Sequence, residues 1–361
     1  MSQMKQVYRI PYTGSLPPSF FSIADSIYNG LPFKPAEDRD VISTLFSMEA
    51  ERNEIVLYTD HTNIRLTGIF PADSAVAYFG FWETLDDAAL NKEAFTLLQT
   101  DARNKNMTSL IGPVNFNTFH NYRLRLNIPG WNMFDREPVN PAYYSSFLQQ
   151  SGFYTKATFE SRMIKKENIP EAYINKASLL HEITRIPFDF IPLHGGNWHE
   201  YEEKIFELVQ AIFSENLLYK SISKEQFRLL YNNAFSAKLC PHSSVMFKDR
   251  ASGKLASISM CHPSYQSLHP VVTEPSFNKD FTKLDKKILL AKTVGVHPAF
   301  RKMGLMNFMG AYGMLSFRDW YDEVIFCLMR SDNFSLHFTD SLQYESAHYA
   351  LYEKIVSSLE G

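Results

Sequence analysis

The order of apolar segments repeats along this chain, and that order limits the fold more than any single residue does. In the first half "EIVLYT", "NIRLTGIF" and "AVAYFGFW" carry the β-branched and aromatic residues of strands, the first two joined across the turn-prone "DHTN". Leu90, Ala94, Leu97, Leu98 and Ala102 then fall at helical spacing, and "MTSLIGPV" returns as a strand. "PAYYSSFLQQSGF" reads as a helix starting at Pro141 and stopping near Gly152, before the closing strand "YTKATFESRMI". In the second half Tyr201, Ile205, Leu208, Val209 and Ile212 form the apolar face of a helix, and a further helix is expected around Phe227 to Phe235. "SVMFKD" and "KLASISMC" then make a hairpin across "RASG". "ILLAKTVGV" is a strand, Leu305, Phe308, Met309, Tyr312 and Leu315 recur as on a helix, and "EVIFCLMR" and "SAHYALYEKI" are the last strands. Hairpin, strand, helix, strand, twice over, is a mixed α/β order, and we read it as a tandem duplication with little sequence identity left.

A length of 361 residues suits two domains better than one core. The division expected is 1–165, a polar linker at 166–182 whose "SLLHEI" end has helical character, and 183–361. The apolar fraction of 45% against 21% charged residues is that of a globular chain, and no uninterrupted apolar run is long enough for a membrane span. A formal net charge of −3 gives no overall attraction to phosphodiester backbones, so nucleic acid is not the expected partner. The N-terminus lacks the features of a secretory signal, and Cys240, Cys261 and Cys327 are too few and too irregular for a disulfide framework; a reducing cytoplasm is expected.

The most specific stretch is "TVGVHPAFRKMGLMNFMGAYGM", residues 293–314. It is a strand, a turn with Arg301 and Lys302, a glycine, and a helix that begins near Gly304. The first turn of a helix presents unpaired N–H groups and about half a positive charge, so an anion such as pyrophosphate binds there if the backbone allows close approach. Gly304 allows it, and the two cations add donors, the Arg as a fork and the Lys as a point charge.

With Val296-His297-Pro298, Arg301, Gly304 and Leu305 in place, the stretch resembles the signature of the GNAT superfamily, the Gcn5-related N-acetyltransferases. There a strand ending in V-x-P is followed by Arg or Gln, two residues, Gly, one residue, and Gly or Ala at the head of a helix; here Met306 stands at that last position. "CLMRSDNFS", with Asn333 and Ser335, resembles the family's next strand and its Asn segment. "SLIGPVN" and "EPVNPAYYSSFLQQSGFY", ending on Gly152 and Phe153, resemble the second half of another such unit. After "AVAYFGFW", however, stands "ETLDDAALN", with no glycine and with Glu83, Asp86 and Asp87. These acids are expected to repel a pyrophosphate, so the first unit reads as a degenerate copy.

The resemblance implies two tandem GNAT-like units, each a mixed, mostly antiparallel sheet flanked by helices. It implies acyl-coenzyme A as co-substrate, held at Val294, Val296, Arg301, Lys302, Met303, Gly304, Leu305, Met306, Asn333 and Ser335. The implied reaction is direct transfer of an acyl group to an amine of a small molecule or peptide. Alternatives are a non-catalytic coenzyme A-binding or interaction module, and a transferase using aminoacyl-tRNA or acyl-carrier-protein donors. The strand with Val294 and Val296 supplies no acid, so a general base is sought in "CHPSYQSLHPVVTEPSFNKD", first Glu274 and then His262, with His269 and Asp280 as the other titratable groups. Cys327 lies in an apolar strand and reads as an inert buried thiol. Tyr349 and Tyr352 read as structural, His297 belongs to the turn, and His194, His199, His262 and His269 do not follow zinc spacings, so no metal is expected.

Overall fold

The computed structural model describes residues 6–131, 133–169 and 177–356. The chain forms two compact units, Met1–Phe159 with Ala347–Gly361, and Glu160–Ser346.

In the first unit β1 (Tyr8–Pro11) leads through α1 (Ser19–Ile27) and α2 (Arg39–Glu49) to β2 (Asn53–Thr59), β3 (Ile64–Pro71) and β4 (Val76–Thr84). Then come α3 (Ala88–Asn104), β5 (Ser109–Gly112), the two-residue β6 (Leu124–Arg125) and α4 (Tyr144–Gln150). β1, β2, β3 and β4 pair antiparallel in that order, and β4 pairs β5 in parallel. β7 (Tyr154–Lys165) carries the chain into the second unit.

The second unit repeats the order. β8 (Phe188–Pro192), preceded by α5 (Ala177–Glu182), leads through α6 (Trp198–Phe213), α7 (Lys224–Leu230) and α8 (Asn233–Ala237) to β9 (Val245–Asp249), β10 (Leu255–Pro263) and β11 (Ile288–Val296). A long helix, α9 (Leu305–Trp320), then precedes β12 (Glu323–Arg330). β8 to β11 pair antiparallel, β11 pairs β12 in parallel, and β7 lies beside β12. Strand, two or more helices, three antiparallel strands, helix, parallel strand: the duplication read from the sequence is present as topology.

Local chemistry explains most element ends. Asp38 caps α2 by accepting from the amides of Asp40 and Val41, each at 3.1 Å, and Asn232 caps α8 by accepting from Phe235 at 3.0 Å. That second cap is why the expected helix around Phe227 to Phe235 is two short helices. The helix expected from Pro141 begins at Tyr144, and the "SLLHEI" end of the linker is α5, while residues 170–176 of the linker lie outside the described residues.

The units cut the chain differently from the sequence division of 1–165 and 183–361. The last strand, β13 (Glu345–Ile355), pairs antiparallel with β5 from Tyr352↔Gly112 to Ile355↔Ser109, and it buries Ala350 and Tyr352 in the core of the first unit beside Phe79, Leu98 and Leu110. An alternating strand carries the same pattern whichever sheet receives it, so this placement is not written in the segment itself. In the second unit one apolar cluster gathers Phe188, Phe247, Val296, Leu305 and Phe308 at the start of α9, and another gathers Tyr265, Phe281, Leu289, Phe317 and Tyr321 at its end. Among the described residues no helix is long and apolar enough to cross a membrane.

Candidate functional site

β11 and β12 are in register only from Ile288↔Glu323 to Ala291↔Phe326, although β11 runs on to Val296 and β12 to Arg330. Just where they part, the pairing of β11 with β10 skips Lys292, because Met260 faces Thr293 while Cys261 faces Ala291. Such a bulge bends the strand and leaves a backbone group out of the ladder. Past the bulge Val294 is 40% exposed, an apolar side chain standing open in the interior of a strand.

The strand ends in a 3₁₀ turn, Pro298–Met303. His297 starts it, its Nδ1 accepting from the amide of Ala299 at 3.2 Å, and burial, with the charges of Lys254 and Arg301, holds its pKa below the usual value. Gly304 closes the turn at φ +74°, a conformation costly for any residue with a Cβ. The sixteen residues of α9 start there with no side-chain cap and no acid in the first turn. The amide of Asn307 returns to Gly304 O at 3.0 Å, and those of Leu305 and Met306 precede it at the open end of the helix.

The implied cofactor residues divide by exposure. Val296 and Leu305 are buried in the core, and Met306 packs against the same cluster, so at these three only backbone faces the turn. The methionine that departs from the family pattern is thereby directed into the core. Arg301, Lys302 and Met303 are exposed, and Arg301 Nη1 donates to Glu215 Oε2 at 2.6 Å. Asn333 is exposed, and its Oδ1 accepts from the amide of Ser335 at 3.4 Å just beyond β12. A glycine lets the helix before Glu215 approach: a Cβ on Gly295 would lie 2.5 Å from Ile212 Cγ2 of α6.

The two residues expected to supply a general base have different surroundings, His262 buried and Glu274 exposed. His262 lies inside β10 opposite Leu290, 1% exposed, with Nδ1 against the Pro263 carbonyl at 2.8 Å and its ring edge-on to Phe235. The segment carrying Glu274 is anchored by Tyr265, Phe277 and Phe281 to the cluster at the end of α9, where Phe281 meets Trp320 and Tyr321. A helix of that length spans roughly 24 Å, and Gly304 is at its other end. Asp280 accepts from Ser276 N at 2.8 Å and Lys283 Nζ at 2.7 Å, a structural role. The anchoring residues are aromatic side chains at irregular spacing, which is why the sequence reads as a free loop.

In the first unit the equivalent helix start is occupied by its own chain. Asp87 Oδ1 accepts from Leu90 N at 3.1 Å, and Asp86 is exposed beside it. The cavity there, lined by Ala88, Ala89, Asn91 and Lys92 of α3 with Phe147 and Gln150 of α4, holds about 190 Å³, below the ~300–1,000 Å³ common for ligand pockets. Glu83 departs from expectation. It is buried, accepting from the Tyr144 hydroxyl at 2.7 Å with Arg65 Nη2 at 3.9 Å, and burial pushes its pKa up to about 7 against the pull of Arg65. Cys327 is buried, its Sγ 3.4 Å from the Ile325 carbonyl. Tyr349 and Tyr352 are buried on β13, and His194 Nδ1 accepts from Gly196 N at 3.1 Å. Among the described residues no three His, Cys, Asp or Glu are grouped to hold a metal.

The sequence reading missed Glu215, for which no local signal exists. It also missed the buried arginines of the first unit, whose signal is an Arg inside an apolar run: Arg65 in "NIRLTGIF", Arg123 and Arg125 in "YRLRL".

No family model matches the sequence, and no curated protein matches it. The fold does have counterparts among solved structures. A tandem GNAT protein from the clavulanic acid biosynthesis pathway is similar over 98% of this chain and 99% of its own, at a TM-score of 0.52 and 9% identity. A conserved protein from Enterococcus faecalis V583, described as a probable N-acyltransferase, is similar over 97% of this chain and 73% of its own, at a TM-score of 0.56 and 10% identity. The chain has the tandem GNAT fold.

Proposed function

We propose that the chain is an N-acyltransferase whose second unit binds acyl-coenzyme A and passes the acyl group to an amine of a small molecule or peptide. The observation that carries this reading is the conjunction of parted parallel strands, a bulge, and an uncapped helix start opened by a glycine at positive φ. Pyrophosphate would lie against the amides that follow Gly304, with Arg301, Lys302 and Met303 on its exposed side and Asn333 and Ser335 across the cleft. Acyl-coenzyme A supplies the activated acyl group when bound. Backbone N–H groups beside the bulge, near Val294, would polarise the carbonyl under attack, as fixed donors do in a site shielded from water. An amine with an ordinary pKa near 10.4 must lose a proton first, so the reaction needs a general base beside the acceptor.

Titration calorimetry with acetyl-coenzyme A should give one site per chain, and Gly304→Glu should abolish it by placing bulk and a negative charge at the pyrophosphate. Full affinity in a folded Gly304→Glu protein overturns the assignment. Transfer is direct, so Cys327→Ala should remain active; an acylated Cys327 trapped without acceptor would refute that. A second reading, binding of coenzyme A without transfer, is favoured by the burial of His262 inside β10, with its Nδ1 against the Pro263 carbonyl. Free thiol release on screening amines separates the two.

A further inference from the structure

Two arginines of the first unit are buried with N–H groups that no carboxylate accepts from. Arg123 is 9% and Arg125 3% exposed. Nε and Nη1 of Arg123, and Nη1 and Nη2 of Arg125, have no hydrogen-bond acceptor among the described residues. Arg125 lies opposite Tyr349 in the pairing of β6 with β13, and Arg123 stands two residues before it in the chain. The acid nearby is Glu137, 4.0 Å from Arg125 Nη1, and its oxygens are already taken. Oε1 accepts from Tyr349 at 2.6 Å, Oε2 from Phe134 N at 3.0 Å, and Trp131 Nε1 reaches both at 3.3 Å.

The same unit shows how it balances a buried arginine when a protein acid is available. Arg65, 2% exposed, is gripped by both oxygens of Glu37, with Glu83 behind. Around Tyr349, by contrast, Arg123 and Arg125 stand with Glu137 as the one carboxylate recorded beside them among the described residues, an excess of one positive charge where an unpaired ion is strongly disfavoured. The faces of both groups are covered, Arg123 by the rings of Tyr122 at 3.8 Å and Phe159 at 4.1 Å, Arg125 by Phe33 at 4.4 Å. Stacking on the faces leaves the in-plane N–H edges, the edges that recognise planar oxyanions. Arg123 is also held at φ +85°, an unfavourable backbone for an arginine, and strain of this kind collects at ligand sites.

We propose that the first unit binds a small organic carboxylate between Arg123 and Arg125, beside Tyr349. One negative charge neutralises the excess, and two coplanar oxygens match the free N–H edges. A dianion would reverse the imbalance. The inference is independent of coenzyme A binding in the second unit.

The test uses the full-length protein without coenzyme A, with melting followed in sodium formate, acetate and propionate against sodium chloride and sodium sulfate at matched ionic strength. A carboxylate should raise the melting temperature in proportion to the logarithm of its concentration once that exceeds the dissociation constant, by about 5 °C or more at a hundred times that constant. Arg123→Met and Arg125→Met should each remove that response. If either fails to fold, Arg125→Lys, which keeps the charge but loses the fork, should weaken carboxylate binding at least about tenfold. Equal stabilisation by chloride, preference for sulfate, no shift at any carboxylate concentration, or a response unchanged in the variants would overturn the proposal.

Discussion

Arg301 Nη1 lies 2.6 Å from Glu215 Oε2, so the guanidinium beside the glycine turn already has a carboxylate partner. Both side chains are well exposed, 44% and 63%, and exposed pairs of this kind contribute only about 0.2–1 kcal/mol. A pyrophosphate at the turn would compete with Glu215 for the same donors. Glu215→Gln should therefore tighten coenzyme A binding about two- to fivefold, and Arg301→Ala should weaken it, both read by calorimetry. Weaker binding in Glu215→Gln would mean that the ion pair organises the turn.

Gly304 has open space where a Cβ would be, and its cost to other residues is conformational only. Gly304→Ala should lose about 1–2 kcal/mol in urea unfolding through the left-handed backbone alone. It should keep more affinity for coenzyme A than Gly304→Glu. An unchanged unfolding midpoint would show that the turn takes another conformation.

Asp87 closes the helix start of the first unit through Leu90 N. Asp87→Ala should destabilise the protein by about 1 kcal/mol. The stoichiometry of coenzyme A should stay at one, and a second binding event in this variant would mean that the cap alone keeps the first unit from binding.

Glu83 gives a pH dependence with a definite sign. Its carboxyl pKa is pushed from 4.5 up to about 7 by burial, so the folded protein holds a proton that the unfolded chain has released. Its contribution is fully present below pH about 4.5 and is lost as the pH rises through about 7, a change of up to about 3 kcal/mol. Glu83→Gln should flatten the stability profile between pH 4.5 and 7 relative to the parent and be the more stable protein at pH 8. Parallel profiles would mean that Glu83 ionises normally.

Strands, helices and their duplication were legible because hydrophobic period is a local property: β2, β3, β4, α3, β11 and α9 all follow directly from the spacing of apolar residues. The glycine turn was legible for the same reason, since positive φ at Gly304 and an open helix start are set within a few residues. The roles of the acids at the first unit's helix start were not. Glu83 and Asp87 are four residues apart, yet one is buried against Arg65 and Tyr144 while the other caps a helix. His262 is buried inside β10, and the segment that carries Glu274 is flanked by Tyr265, Phe277 and Phe281 in one apolar cluster, contacts that no spacing rule encodes. The partner of β13 likewise belongs to tertiary structure, because alternation says that a strand has a buried face and not which sheet buries it. Charge balance was the least visible of all: Arg123 and Arg125 differ from surface arginines only through the rings and strands that remove water from them.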